Sequence, residues 1–395
     1  MLKYDVVVVG GGPIGGFAAG KIAEKKYSVA VFEKNKQIGL PINCAGLVTP
    51  RVFEIVKTTE KETIQNKIKG ANIHSPSNKI LTIGGDKIHA LAINRTNFDT
   101  EIIKEAKKQK AEIFLNNKVL SIQKNKEHYE ITTSEKTNVR CKLLIGADGP
   151  FSKIRDILFQ YQPKEYIKGI GAEITNTTLD PDYVEIFIGK KIAPGFFAWI
   201  IPTNKDGTNA RIGLGIDQKT TQPPKYYLKK LFENRYLEPY IKNCEITKSI
   251  GGIIPLGVLK KTYNSNVMLV GDAAAQVKPT SGGGIYPGLI CATHCANTAI
   301  EALEKNDFSP SFLKKYQKNW EKEIGFELKI GMKFRKIFKN LSDKQFNNIV
   351  EKFQDPKIIE TINKYGDIDY PSKLLKPLLK KTPFLIRLLP NIVKK

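Results

Sequence analysis

With 395 residues, 41% of them apolar, the chain can bury the core of two or three domains, and no run nears the roughly 18 apolar residues of a membrane-spanning helix. Five cysteines without paired spacing, and a first strand that leaves no room for a signal peptide, speak for a reduced cytoplasm rather than a secreted disulfide framework. The net charge of +24 includes only 8 arginines, which argues against nucleic acid as a partner and leaves two readings, a lysine-rich genome composition or attraction to an anionic membrane surface or substrate.

Asp5 to Val9 reads as an apolar strand, followed by a glycine turn, a small-residue helix and a second apolar strand that ends on Glu33. Gly10, Gly12 and Gly15 fit the G-x-G-x-x-G spacing. The first allows the tight turn, the second the approach of a pyrophosphate, and the third close packing of helix on strand. Pro13 suits the first helical turn, where its missing N–H costs nothing. The free N–H groups of that turn face two phosphates. Glu33 lies 18 residues past Gly15, near the spacing of an acid that binds a ribose 2′-hydroxyl. A carboxylate there repels a 2′-phosphate, so the unit predicts the adenosine of FAD or NAD.

The loop after Glu33 carries Cys44 between two small-residue turns. Residues 71 to 93 alternate polar and apolar, with turn pairs at Ser75-Pro76 and Gly84-Gly85, and predict strands of a second sheet. Arg95 precedes an amphipathic helix with Thr96 or Asn97 as its expected N-cap. It is either a surface charge or, at the mouth of the dinucleotide unit, a flavin or phosphate contact. Short strands from 112 to 146 end in CKLLIGADG, where Asp148-Gly149, with Ser152 and Arg155, forms a strand-to-helix junction beside the first turn. Residues 166 to 262 are mainly β with one helix near 223 to 236, a platform whose apolar content predicts a hydrophobic cavity facing the cofactor.

A further buried strand ends at Gly271-Asp272, and the turn Gly282, Gly283, Gly284 leads into a long small-residue helix opened by Ile285. On it Cys291, His294 and Cys295 recur at helical spacing. Without a second Cys/His group a buried face accounts for them better than a metal, and no metal is expected. Residues 308 to 365 read as charged helices. The tail from 371 to 395 has seven basic and no acidic residues among leucines, isoleucines and phenylalanine. It either anchors to a surface or packs on the body, and its four prolines predict short turns. The expected division is a discontinuous dinucleotide domain (1–70, 94–165 and 263–307), a β-rich substrate domain (71–93 and 166–262) and a helical C-terminal region (308–395).

Taken together, the N-terminal unit, Arg95 with Phe98-Asp99, Asp148-Gly149, and Gly271-Asp272 before PTSGGG resemble the FAD-dependent oxidoreductases of the para-hydroxybenzoate hydroxylase type. Within them the chain resembles the geranylgeranyl reductase family, whose archaeal members saturate the isoprenoid chains of membrane lipids. LPINCAGL matches that family's P-x-x-C-x-G element with Pro41, Cys44 and Gly46. FFAWIIP resembles its aromatic-x-W-x-F-P element with Phe197, Trp199 and Pro202. The likeness runs to about residue 310.

The resemblance implies an α/β fold: a Rossmann-like FAD-binding domain, a β-sheet substrate domain and a helical C-terminal region. Gly10, Gly12, Pro13 and Gly15 would hold the FAD pyrophosphate, and Glu33 the adenosine ribose. Asp148 and Gly271 would flank the second half of the cofactor, with Asp272 on the ribityl hydroxyls. Cys44, Ala45, Gly46 and Arg95 would lie near the flavin. Gly282, Gly283, Gly284 and Ile285 would set a helix N-terminus against its pyrimidine edge, where a positive helix end favours the anion formed on reduction. Ile201 stands where the family commonly has phenylalanine, and Phe197 where tyrosine is usual. That variant also resembles the W-x-W-x-I-P signature of flavin-dependent halogenases, which lack the PINCAG cysteine.

An isoprenoid C=C is conjugated to no carbonyl, so it accepts hydride only with a proton delivered before or during the transfer, in a dry apolar tunnel. Phe196, Phe197, Trp199 and Pro202 would line that tunnel, with the Trp199 ring able to face a passing cation. The same aromatics also fit a core cluster between strands. Cys44 is the candidate catalytic residue, as a proton relay or substrate gate. With no second dinucleotide unit and no cysteine set for an iron–sulfur cluster, reduced ferredoxin or NAD(P)H would supply electrons. The substrate would be an isoprenoid lipid and the location cytoplasmic, at the inner membrane face. Competing readings are a flavin monooxygenase and a non-catalytic basic protein that binds lipid or RNA.

Overall fold

The computed structural model describes residues 1–57, 62–125 and 127–382. Val6, Val7 and Val8 are fully buried, and their strand, Leu2–Val9, runs at the centre of a parallel array covered on both faces. Val29–Phe32 pairs with it on one side and Asn138–Gly146 on the other. Glu112–Phe114 and Val267–Leu269 extend the array outward, again in parallel. Strand order therefore reverses at Leu2–Val9, and open parallel sheets bind ligands at such a reversal, beyond the carboxyl ends. Among the described residues the strands form sheets of eight, seven and three.

Helix α1 (Pro13–Ala23) follows the first strand. α2 (Arg51–Val56) and α3 (Arg95–Lys108) come next, and α3 packs on the glycine side of α1, where Gly20 meets Ala106. The N-cap of α3 is Asn94, whose side chain accepts the Asn97 N–H at 3.1 Å, rather than Thr96 or Asn97. The short helix α4 (Lys153–Leu158) closes the Asp148 junction.

The seven-stranded sheet is antiparallel except where Gly70–His74 joins Tyr183–Ile188. One face, with Ala198, Ile200 and Leu214, is covered by α5 (Pro224–Phe232) and α6 (Glu238–Ile241). The other presents Trp199 and Ile201 to Ala45, Leu47 and Ala92. The stretch 71 to 93 does not stay in this sheet. Gly70–His74 and Ile80–Gly84 belong to it, whereas Ala90–Ile93 pairs with Leu47–Val48 and Ile64–Ile68. All four residues of Ala90–Ile93 are apolar and buried, so the strand requires cover on both faces.

The long helix α7 (Ile285–Lys305) lies along α1, and buries Cys291 and Cys295 while His294 bonds to Glu323 at 2.6 Å. There follow α8 (Pro310–Trp320), α9 (Phe326–Asn340), α10 (Asp343–Phe353), α11 (Pro356–Tyr365) and α12 (Ser372–Lys381). So the first part of the basic tail is a helix with Pro377 inside it, not a set of turns, and residues 383–395 lie outside the described residues. A strap from 366 to 372 fastens α12 to the body. Its buried Asp369 accepts from Thr49 Oγ1 at 2.6 Å, Lys278 Nζ at 2.7 Å and Arg51 at 3.2 Å, while Asp367 holds Arg51 by both oxygens. Among the described residues no helix is long and apolar enough to cross a membrane.

Candidate cofactor and substrate site

At the crevice the strand ends stand in register: Val9 is opposite Phe32 and Gly146, and Gly146 opposite Leu269. Gly10, Glu33, Ala147-Asp148 and Gly271-Asp272 therefore form one row. Gly10 (φ +109) admits no side chain, because a Cβ would stand 2.2 Å from the Ala147 carbonyl oxygen. A Cβ on Gly15 would stand 2.1 Å from the Gly10 oxygen, so Gly15 serves packing of helix on turn. Gly12 by contrast faces open space, and α1 begins on it with Pro13 in the first turn and no side-chain cap. The cradle fits a pyrophosphate. Glu33 is buried and accepts the N–H groups of Gly11 and Asn35, each at 2.8 Å. A carboxylate has about four lone-pair sites, so two remain for ribose hydroxyls.

Asp272 sits beside the start of α7, with Oδ1 3.0 Å from where a Gly284 Cβ would be. Burial raises its pKa to about 6, against the pull of Arg95. Among the described residues nothing donates to its carboxylate. α7, like α1, starts without a side-chain cap. Ile14 wedges the two helix starts together, filling the space left by Gly271 and Gly288. Ile285 turns its side chain into the core, which leaves only its backbone for a ligand. Asp148 also stands in this row. Its carboxylate accepts from Ser152 Oγ at 2.5 Å and from the Ile154 N–H at 3.2 Å, and so braces Ser152, the N-cap of α4. The open position there is the backbone at Gly149.

Cys44, Arg95 and Asp272 come together near this row. The Cys44 sulfur accepts the Gly46 N–H at 3.3 Å. Arg95 holds both oxygens of Asp99, one turn along α3, at 3.0 Å. Burial opposes its charge, but Asp99 and the Cys44 sulfur outweigh that and raise its pKa. The cation is therefore fixed beside the thiol.

Sequence reasoning missed Arg211. Its side chain is buried and donates to the carbonyls of Ala45 (3.1 Å) and Ile93 (2.9 Å), to Gln65 (2.6 Å) and to Glu173 (3.1 Å). Gly46 (φ +68) makes room for it, since a Cβ there would lie 2.4 Å from Arg211 Nη1. The available signal was a lone arginine in the otherwise apolar strand ARIGLGI.

Phe196 and Phe197 stack at 4.4 Å, and Phe197 meets Trp199 edge-on at 5.9 Å. Trp199 packs on the same apolar cluster as Ala45 of the cysteine loop, while Phe196 reaches the Gly282 turn, 3.3 Å from where a Cβ would stand. The aromatic run thus links the two turns. Pro202 is not part of it, because the pleat sends it to the face opposite Phe197 and Trp199. Beyond Phe196 and Pro279 lies an apolar cavity of about 390 Å³, within the size range of small-molecule sites. Its walls come mostly from α9 and α12, through residues such as Phe334, Phe338, Leu374 and Leu378. Arg335 is the charged side chain in its lining, tied back to Glu165 and the Gly195 carbonyl with its guanidinium 5.6 Å from the Phe196 ring. The tail from residue 371 was expected to anchor or to pack, and the charged helices before it had no assigned role, so a cavity walled by both was not foreseen.

The chain matches the FAD binding domain family over residues 3–321. It is 34% identical over 383 residues to an uncharacterized protein of Methanocaldococcus jannaschii, with 95% of each chain covered. It is 30% identical over 392 residues to the digeranylgeranylglycerophospholipid reductase of the same organism, with 97% of each covered. Among solved structures it is similar to a geranylgeranyl bacteriochlorophyll reductase-like protein from Thermoplasma acidophilum, at 25% identity and a TM-score of 0.86 over the whole of both chains. A flavin-dependent brominase, 17% identical over 97% of this chain and 100% of its own with a TM-score of 0.74, shares the fold alone. The α/β reading holds, and FAD rather than NAD is the dinucleotide. The chain belongs to the geranylgeranyl reductase family of FAD-dependent oxidoreductases.

Proposed function

We propose that the protein saturates C=C bonds of geranylgeranyl chains in archaeal-type isoprenoid ether lipids and phospholipids. The observation that carries this reading is the apolar cavity that begins at Phe196 and Pro279, beside the glycine turn, and continues between α9 and α12. Bound FAD, in its reduced form, supplies hydride from N5. The chain supplies the surroundings. Gly12, the α1 start and Glu33 hold the adenosine diphosphate end, and Asp272 accepts from the ribityl hydroxyls. Phe196, Phe197 and Trp199 exclude water from the alkene, and the face of Trp199 favours positive charge developing on it. Cys44, with the Gly46 N–H on its sulfur, relays a proton or gates the chain, and Arg211 holds its loop in place.

Electrons come from reduced ferredoxin or transiently bound NAD(P)H, since the chain has one dinucleotide-type glycine turn. The physiological setting is the inner membrane face, where these lipids are made. The cavity reading is tested with Leu378→Trp, which fills the space between α12 and Phe338. That variant is expected to retain FAD and lose turnover of geranylgeranyl lipid by at least about tenfold, against a smaller effect on a short prenyl alcohol. Equal turnover of the long chain in the variant and the parent would refute it.

A further inference from the structure

Helices α9 and α12 each turn one face to the cavity and the other outward. On α9, Phe326, Lys329, Lys333 and Lys336 recur at spacings of three and four, so they share a face, and all four are exposed. Phe326 is 63% exposed despite its size. On α12, Leu374 and Leu378 line the cavity while Lys376, Lys380 and Lys381 are exposed. The starts of the two helices are joined, because Glu327 accepts the Ser372 N–H at 3.1 Å. Neighbouring Lys339 and Lys373 pair with Glu165 and Asp367. Among the described residues none of the six outward lysines has a carboxylate partner.

A partner that suits this surface offers negative charge and hydrocarbon together. We propose that the outer face of α9 and α12 seats on an anionic lipid bilayer, and that the chain to be reduced passes from the bilayer into the cavity the same two helices enclose. The inference rests on reading that cavity as the isoprenoid site. Lysine heads reach the headgroup charge while their stems lie along apolar surface, and an aromatic ring at one end sits at the interface depth. An acidic protein would satisfy the charge but would have no use for a neighbouring hydrocarbon cavity.

The test floats the FAD-loaded full chain with vesicles of phosphatidylcholine alone or with phosphatidylglycerol added, at low and high salt. The protein is expected to partition onto the anionic vesicles only and to leave them at high salt. The triple variant Lys329→Glu, Lys333→Glu, Lys376→Glu is expected to partition on the order of 100-fold more weakly. It should turn over a detergent-dispersed prenyl substrate like the parent and lose turnover of the same substrate embedded in anionic vesicles. Failure of the parent to partition, partitioning unchanged in the variant, or capture of an acidic protein in place of vesicles would each overturn the proposal. A parent that partitions as expected yet reduces neither substrate would support the docking surface and refute the reaction assigned above.

Discussion

Cys44 is a half-buried thiol whose sulfur sits between a backbone N–H and a guanidinium that Asp99 keeps charged. Serine preserves the size and hydrogen bonding of the side chain but not its acidity. Cys44→Ser is therefore expected to purify with FAD near one per chain and to lose alkene reduction about 100-fold, in the range of a removed acid or base. Turnover equal to the parent would dismiss Cys44 from the chemistry. Asp272 gives a pH signature. Burial raises its pKa to about 6, so folding favours the protonated form. Its contribution to the stability of the cofactor-free protein is full below the ordinary carboxylate range and is lost as pH rises through 6. Ribityl hydroxyls donate to the ionised form, so FAD affinity is expected to strengthen from pH 5 to pH 7 in a fluorescence titration. Asp272→Asn should weaken binding and flatten that dependence, and an affinity in the parent that ignores pH would contradict the assignment. At this scale the glycine turn and the place of Glu33 were legible because each answers to a local spacing, whereas Cys44 stood out only by the resemblance of its loop to a family element. Arg211 and the bracing of the Ser152 cap by Asp148 were not, because their partners are set by strand register and by a turn that spacing does not disclose.

Elements whose periodicity answers to one environment were the readable ones. Leu2–Val9 and Asn138–Gly146 end in continuous apolar runs, as strands covered on both faces must. Ala90–Ile93 was misassigned because four apolar residues declare burial but not which sheet provides it. The C-terminal helices pose the same problem, since the leucines of α12 announce an apolar partner without naming the cavity beneath. What fixes α12 there is the strap at 366 to 372. Asp369 is its buried anchor, and its removal strands Lys278 and loosens Arg51 and Thr49. Asp369→Ala is expected to destabilise the protein by about 3 kcal/mol in denaturant unfolding and to speed proteolytic cleavage near the strap. A strap cleaved no faster than in the parent would show that it is held by α12 instead.

For the whole molecule, three features adjoin one another in turn: the crevice at the reversal of the parallel sheet, the aromatic run between the cysteine loop and the glycine turn, and the cavity beyond it. The first follows from sheet topology and was readable at the outset. The last is made by helices far along the chain from the sheet platform where it was expected. Charge has the same split character, since the lysine surplus is plain in composition but its concentration on α9 and α12 is a property of the folded surface. The central claim is that this site reduces isoprenoid double bonds. It is tested most directly by incubating the FAD-loaded protein anaerobically with a low-potential reductant and a geranylgeranyl glycerolipid, then weighing the lipid by mass spectrometry. The account predicts a gain of two mass units for each bond reduced, without oxygen. A lipid of unchanged mass, or one that gains an oxygen atom only when air is admitted, would contradict it.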